Sequence, residues 1–329
     1  MFRTSPRTVL RNRIPQSSLR FYATSSRTHQ TIHLSDGRKL GFAEYGRPNG
    51  KPVFYFHGFP SSRLEAQPID DIAQRCGVRL IALDRPGFGL SSPKPDYRIT
   101  DWPKDVAELA KTKKITEFSV FGLSGGGPFA LACAYVLPKR ALISVGLFAS
   151  APPWEAGVQH VDKSRRILRF CAMKFPNLLA GALSMLIGSV RWLVLTGPAI
   201  NRIGKWLDTQ DAKEKPGIEI TKSHTERVED LVNMLLDEPF RQGARGTVHE
   251  TKLLSSKDWG FKLEDVDYDR VQIWHGVKDT NANIAMIRYM AERIPNSELT
   301  EFEEDTHYTM YKHIEPALRS LVNNEEKNE

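Results

Sequence analysis

Ser124 stands in Gly122-Leu123-Ser124-Gly125-Gly126, a fit to G-x-S-x-G. The apolar run Phe118–Leu123 precedes it, and Gly125-Gly126-Gly127-Pro128 leads into a helix-like stretch, Phe129–Leu137. A strand, a sharp turn and a helix are expected in succession, with the hydroxyl presented at the turn. The backbone there passes close to a helix and a ligand, so the serine needs neighbours without Cβ. A serine hydroxyl is a weak nucleophile. It needs a base, and the base needs an orienting acid. Where serine occupies such an elbow, the acid and then the histidine follow it in chain order. Val271-Gln272-Ile273-Trp274-His275-Gly276-Val277-Lys278-Asp279 reads as a buried strand ending in an acid, which makes Asp279 the candidate acid. Leu299–Phe302 reads as a further strand, and Asp305-Thr306-His307 follows it, which makes His307 the candidate base. It lies 28 residues beyond Asp279 and 183 beyond Ser124. Both fall just past strand ends, where open α/β sheets collect functional groups. The chain has nine histidines, and His307 alone follows a late strand beyond the acid-bearing one. Asp279 also suits the N-cap of a helix from Ala282. Asp305 and Glu304 are competing acids, but their adjacency to His307 places them poorly for reaching its ring.

A nucleophilic attack also needs donors for the charge that develops on the attacked oxygen. The strand-like run Val53–Phe56 is followed by His57-Gly58-Phe59-Pro60. Glycine lets the backbone turn, so the Phe59 N–H can point into the site, with the Gly125 N–H as second donor. The His57 side chain is read as a brace for this loop. Phe59, Phe88 and Trp154 lie on loops expected to rim a pocket. Asp84, in Asp84-Arg85-Pro86-Gly87, is read as part of a structural turn. Gly125–Gly127 is not a phosphate loop, since that motif's Lys and Ser/Thr are missing.

The elements that must position these residues alternate. Thr31–Leu34 and Lys39–Tyr45 flank Asp36-Gly37, a hairpin signal. Val53–Phe56 and Val78–Leu83 are short runs rich in β-branched and aromatic residues, as in buried parallel strands. Asp101–Lys111 has helical spacing at Trp102, Val106 and Leu109, and Ala141–Phe148 reads as the strand after the elbow helix. The fold class is α/β, a doubly wound, mostly parallel sheet. Residues 152–255 break the alternation and read as helical, an insertion between core segments 29–151 and 256–323. Within it, Phe175–Val190 is a 16-residue charge-free run, and apolar character resumes at Trp192–Leu195. A spanning helix wants about 20 apolar residues. The run is read first as a helix lining an apolar pocket, then as a membrane-surface contact through 175–195, then as an oligomer contact.

These motifs together resemble the α/β-hydrolase superfamily, in its branch with a helical cap. The resemblance rests on HGFP at 57–60, DRPGFGLSS at 84–92, GLSGG at 122–126, HGVKD at 275–279 and DTHY at 305–308. It covers residues 31–322. It implies a Ser124–Asp279–His307 triad, an oxyanion hole from the Phe59 and Gly125 amides, and a cap at 152–255. Members with Asp in place of the elbow serine are typically epoxide hydrolases or dehalogenases, which Ser124 argues against. Proline iminopeptidases usually carry Trp after the serine, and here Gly125 stands there. Thr306 replaces the Gly that often precedes the base, and Asn281 and Asn283 stand where relatives show an apolar residue and Pro. The function implied is a serine hydrolase acting on an ester or thioester with an apolar acyl or aromatic group. Amide hydrolysis, C–C hydrolysis and acyl transfer are its variants, and a non-catalytic binding or scaffold protein is the alternative class.

Residues 1–30 hold six arginines and no acid, and the first acidic residue is Asp36. Arg-rich, Ser-rich and acid-poor composition marks a mitochondrial transit peptide, here residues 1–28. Arg20-Phe21-Tyr22 before Ala23 resembles a matrix-processing site, so a matrix location is expected. The net charge of +7 and pI near 9.2 are largely the leader's, so they are not a nucleic-acid footprint. Residues 324–329 form a charged tail. The 329 residues, 40% hydrophobic and 26% charged, suit one globular catalytic domain with an insertion. Cys76, Cys133 and Cys171 show no metal or redox spacing. No metal, cofactor or nucleic-acid partner is implied, and the expected partner is a small apolar ester-type substrate. Oligomeric state is left open.

Overall fold

The computed structural model describes residues 27–214 and 221–323. The leader expected at the amino terminus, except for residues 27 and 28, and the charged tail lie outside the described residues. Eight strands form one sheet: β1 (Gln30–His33), β2 (Lys39–Gly46), β3 (Lys51–Phe56), β4 (Val78–Leu83), β5 (Phe118–Leu123), β6 (Leu142–Phe148), β7 (Val271–Gly276) and β8 (Ser297–Phe302). Their spatial order is β1-β2-β4-β3-β5-β6-β7-β8. The β1–β2 and β2–β4 pairs are antiparallel and every later pair is parallel. β3 has β4 on one side and β5 on the other, so the strand order reverses there. A crevice opens outside the carboxyl ends of strands at such a switch. The loops after β3 and β5 carry the 57–60 and 122–126 motifs into it.

The central strands are apolar on both faces because both are covered. On one face Phe54, Phe56 and Val120 pack with α2 (Trp102–Thr112), α3 (Gly127–Val136) and α9 (Ile284–Arg293), through Val106, Leu109, Phe129, Ile287 and Met290. On the other, Val53, Tyr55 and Phe121 pack with α1 (Asp70–Arg75) and α10 (Ile314–Val322), through Ala73, Leu318 and Leu321. α10 packs apolar residues at three- and four-residue spacing against β6, as an amphipathic helix does.

Between β6 and β7 the chain leaves the sheet for α4 (Lys163–Lys174), α5 (Pro176–Val194), α6 (Gly197–Glu214), α7 (His224–Val232) and α8 (Arg245–Leu254). α4 and α5 both pack on α8, where Ala172, Ala180 and Val248 form a small apolar cluster. Two buried ionic networks fasten this layer to the core. Arg63, fully buried after β3, pairs with Asp84 at 3.0 Å and with Glu238 at 2.5 Å. Arg85, equally buried after β4, makes a two-bond pair with Glu250 of α8 at 2.6 and 2.8 Å. Removing one member of such a set strands an unpaired charge in the interior. Arg63→Leu is therefore expected to lower stability by about 3–5 kcal/mol, read as a drop in denaturant midpoint. An unchanged midpoint would mean Asp84 and Glu238 find other partners.

Candidate active site

β5 ends at Leu123, and Ser124 takes φ 50°, the left-handed region that a residue with Cβ rarely adopts. What holds it there is crowding. A Cβ on Gly122 would come within 2.6 Å of the Gly126 carbonyl oxygen, and one on Gly126 within 2.2 Å of the Phe56 carbonyl oxygen. The turn from strand to helix can be this tight only where side chains are missing. The sharp turn expected from the glycine pattern is present, and its strain shows as the positive φ of Ser124.

The structure brings Ser124, Asp279 and His307 together. His307 Nδ1 lies 2.7 Å from Asp279 Oδ2, and its Nε2 lies 3.1 Å from Ser124 Oγ. Asp279 does more than hold the imidazole. Its Oδ1 accepts the Asn281 and Ala282 amides at 2.7 and 2.8 Å, closing the loop before α9. The cap of α9 itself is Asn283. Burial raises the Asp279 carboxyl, but the His307 hydrogen bond and charge and the Ala282 amide outweigh it, leaving the group below its ordinary value. The carboxylate is ionised at neutral pH and can only accept, so His307 Nδ1 carries the proton and Nε2 offers a lone pair to Ser124. Burial keeps the neighbouring His275 neutral. Its Nε2 donates to the Ala282 carbonyl at 2.8 Å, bracing the acid loop from below.

Asp305 serves the base instead of competing for it. It binds Thr309, Lys312 and His313 at 2.7–2.8 Å. Its carbonyl accepts the Lys278 amide at 2.9 Å. The acid-bearing and base-bearing loops are thereby joined at their roots. Gly276 permits the approach, since a Cβ there would meet the Asp305 carbonyl oxygen at 2.3 Å.

Phe59 stands directly against the elbow: a Cβ on Gly125 would lie 3.2 Å from the Phe59 nitrogen. Neither the Phe59 nor the Gly125 amide donates to a protein acceptor among the described residues. The orientation of the Phe59 amide has a cause that sequence reasoning missed. Arg85 donates to the His57 carbonyl and, at 2.9 Å, to the Gly58 carbonyl. In a trans peptide the carbonyl and the following N–H point opposite ways. Holding the Gly58 oxygen toward Arg85 therefore turns the Phe59 N–H the opposite way, away from the guanidinium. His57 braces the same loop: its Nδ1 lies 2.8 Å from the Gly58 carbonyl, and its Nε2 accepts the Arg85 amide at 3.2 Å. The signal available in the sequence was an arginine directly after a buried strand, and its carboxylate partner lies 165 residues away.

Two lobes of a cavity, about 280 and 460 Å³, meet at Ser124, Phe59, Pro60, Arg165 and Asn281. Trp154, Val161, Leu168, Leu254 and Met286 make the smaller lobe largely apolar. Phe59 and Trp154 line it as expected from sequence. Phe88 does not. It is fully buried, edge-on to His57 at 5.4 Å. The loop that carries it turns beneath the start of α8, where Gly246 packs on Gly87. A second correction concerns 175–190. No residue of α5 lines either lobe; α4, α8 and the helical turn Asn233–Asp237 supply the insertion's wall, and Met286 of α9 adds to it from the core.

A family model described as the alpha/beta hydrolase fold matches residues 51–165. The chain is 34% identical over 133 residues to Lipase 3 of Moraxella sp. strain TA144, covering 39% of this chain and 41% of that protein. It is 30% identical over 125 residues to a proline iminopeptidase of Xylella fastidiosa, covering 36% and 40%. The chain thus spans about two-fifths of the length of these relatives. Among solved structures it resembles an esterase from Exiguobacterium antarcticum, with TM-score 0.61 and 20% identity over 89% of this chain and 98% of that one. At that identity the likeness concerns the fold.

The Asp305 cluster gives the loop of His307 a pH limit. Burial raises the carboxyl, but Lys312, His313 and Thr309 bring it from the ordinary 3.8 down to about 2. A folded-state value below the unfolded one contributes stability above the unfolded value and loses it as pH falls through the folded value. Asp305→Asn is expected to lower stability at pH 7 and to flatten its dependence between 3.8 and about 2. Thermal unfolding across that range checks it, and an unchanged acid limb would assign the effect elsewhere.

Proposed function

We propose that this chain, which has the alpha/beta hydrolase fold, is a serine hydrolase that cleaves an ester or thioester through an acyl-enzyme. The observation that carries the reading is the continuous line of contacts from Asp279 Oδ2 through His307 to Ser124 Oγ. His307 Nε2 takes the hydroxyl proton as Ser124 attacks the acyl carbon. Asp279 stabilises the imidazolium and holds its ring. The Phe59 and Gly125 amides meet the oxyanion, each worth about 3 kcal/mol in the transition state. His307 then protonates the leaving alcohol or thiol, and a water activated by the same nitrogen releases the acid. The relatives include both lipases and proline iminopeptidases; glycine at 125, where proline iminopeptidases usually carry Trp, favours an acyl ester. The apolar lobe of about 280 Å³ favours a medium acyl or aromatic group over acetyl. The leader composition adds the proposal of a mitochondrial matrix location.

A fluorophosphonate probe is expected to label the protein, with no labelling of Ser124→Ala. Asp279→Asn is expected to keep the fold while kcat falls by about 10⁴-fold, because the wrong imidazole tautomer would face the serine. A Ser124→Ala variant that still labels would remove the reading, and with it the choice against a binding or scaffold protein. Across esters of increasing acyl length, kcat/KM is expected to rise from acetyl to medium chains; an optimum at acetyl would assign the apolar lobe another role.

A further inference from the structure

α5 presents its apolar side to solvent. Leu179, Ala180 and Leu183 face the cluster with α4 and α8, while Leu178, Met185, Leu186, Val190, Trp192 and Leu193 are exposed. Leu178, Met185 and Trp192 are each more than 70% exposed. Residues 178, 181, 182, 185, 186, 189 and 193 recur at three- and four-residue spacing, so they make one outward stripe without a charge. A soluble helix would carry its polar residues there. α4 adds a matching stripe. Ile167, Phe170 and Met173 are exposed on the same face as Lys163, Arg166 and Lys174, and the rings of Phe170 and Phe175 meet at 6.2 Å. α6 adds exposed Trp206 beside Arg202 and Lys205.

From Lys163 to Leu207 the chain has eight Lys and Arg and no Asp or Glu. Arg165 pairs with Asp162 and Arg191 with Asp237. Among the described residues the other six have no acidic partner. We propose that this face of the helical layer docks on an anionic phospholipid surface, with the apolar stripe in the acyl boundary and the cations at the headgroups. A second copy of the chain fits less well, because a two-fold contact would set this surface, with its excess of cations, against itself. A spanning helix fits less well too. α5 is long and apolar enough to cross a membrane, but Leu179, Ala180 and Leu183 pack on α4 and α8, and a single residue joins it to the charged α4. α4 also supplies Arg165 and Leu168 to the cavity at Ser124, so docking brings the pocket wall to the bilayer. That route for a lipid-borne ester rests on the serine hydrolase reading; the docking does not.

The test uses the full chain and vesicles of phosphatidylcholine with and without an equal part of phosphatidylglycerol. Wild type and Ser124→Ala are expected to co-sediment with the mixed vesicles, less with phosphatidylcholine alone, and less as salt rises. Met185→Glu/Trp192→Glu is expected to cut partition by about tenfold or more, and Lys163→Glu/Lys174→Glu to cut it and its salt dependence. Both should keep the wild-type melting temperature and turnover of a water-soluble ester. The arginines of residues 1–26 are present in every variant, so binding that survives both double variants would assign it to them and overturn the proposal. Protein that stays in the supernatant would overturn it. So would a dimer in light scattering that Met185→Glu/Trp192→Glu dissolves, or membrane association that resists carbonate extraction. Loss of ester turnover in wild type with vesicle binding intact would strike the hydrolase reading alone.

Discussion

The site depends on one backbone constraint, the left-handed Ser124 at the end of β5. A β-strand that ran on would carry its side chain into the sheet's neighbours. The reversal at residue 124 instead lifts the hydroxyl out of the strand end and starts α3 within a few residues. Such a conformation costs on the order of 1–3 kcal/mol and persists because its surroundings leave no alternative. Gly122, Gly126 and Gly127 let the chain pass within contact of the Phe56 carbonyl and of Ser150. The same approach that fixes the serine brings β3's carboxyl end, and hence Phe59, against Gly125. Ser124 and the Phe59 and Gly125 amides are therefore positioned by a single packing solution.

A second layer of fixation is electrostatic and runs through the interior. Arg85 directs its donors to Glu250 and to the His57 and Gly58 carbonyls. Burial alone would push the Glu250 carboxyl upward, and the guanidinium opposes that. Such pairs are weak contributors to net stability but strong specifiers of geometry when every lone pair is met. Glu250 belongs to α8, so the helical layer reaches under its own pocket to orient the Gly58–Phe59 peptide. Arg63 links the same layer to Asp84, which in turn accepts the Arg63 and Leu90 amides. The turn after β4 is thus a structural joint between the sheet and the helical layer, and Asp84 is too thoroughly satisfied and buried to meet a substrate.

The sequence made the sheet and the three converging side chains legible for local reasons. The central strands are short apolar runs, and Ser124, Asp279 and His307 each sit just past a strand, so the parallel sheet gathers them at one edge. Phe88 was not legible because its direction depends on Gly87 meeting Gly246, a contact across 159 residues. The Arg85–Glu250 pair was hidden for the same reason: ion partners leave no periodic trace. His275 and Asp305 carried no signal distinguishing a brace from a bystander.

Residues 175–190 mark the limit of composition as a guide. A charge-free helical run is compatible with a buried wall or with an uncovered face, because hydropathy records what a side chain prefers and not what it meets. α4 illustrates the difference within one helix. Leu168 turns inward to the cavity at Ser124, while Ile167, one residue earlier, turns outward. An aqueous exterior would favour polar residues at the second position but not the first. That both are apolar, while the lysines and arginines sit beside Ile167 without acids to match, makes the outer surface of the cap a second boundary, distinct from the pocket and close behind its wall.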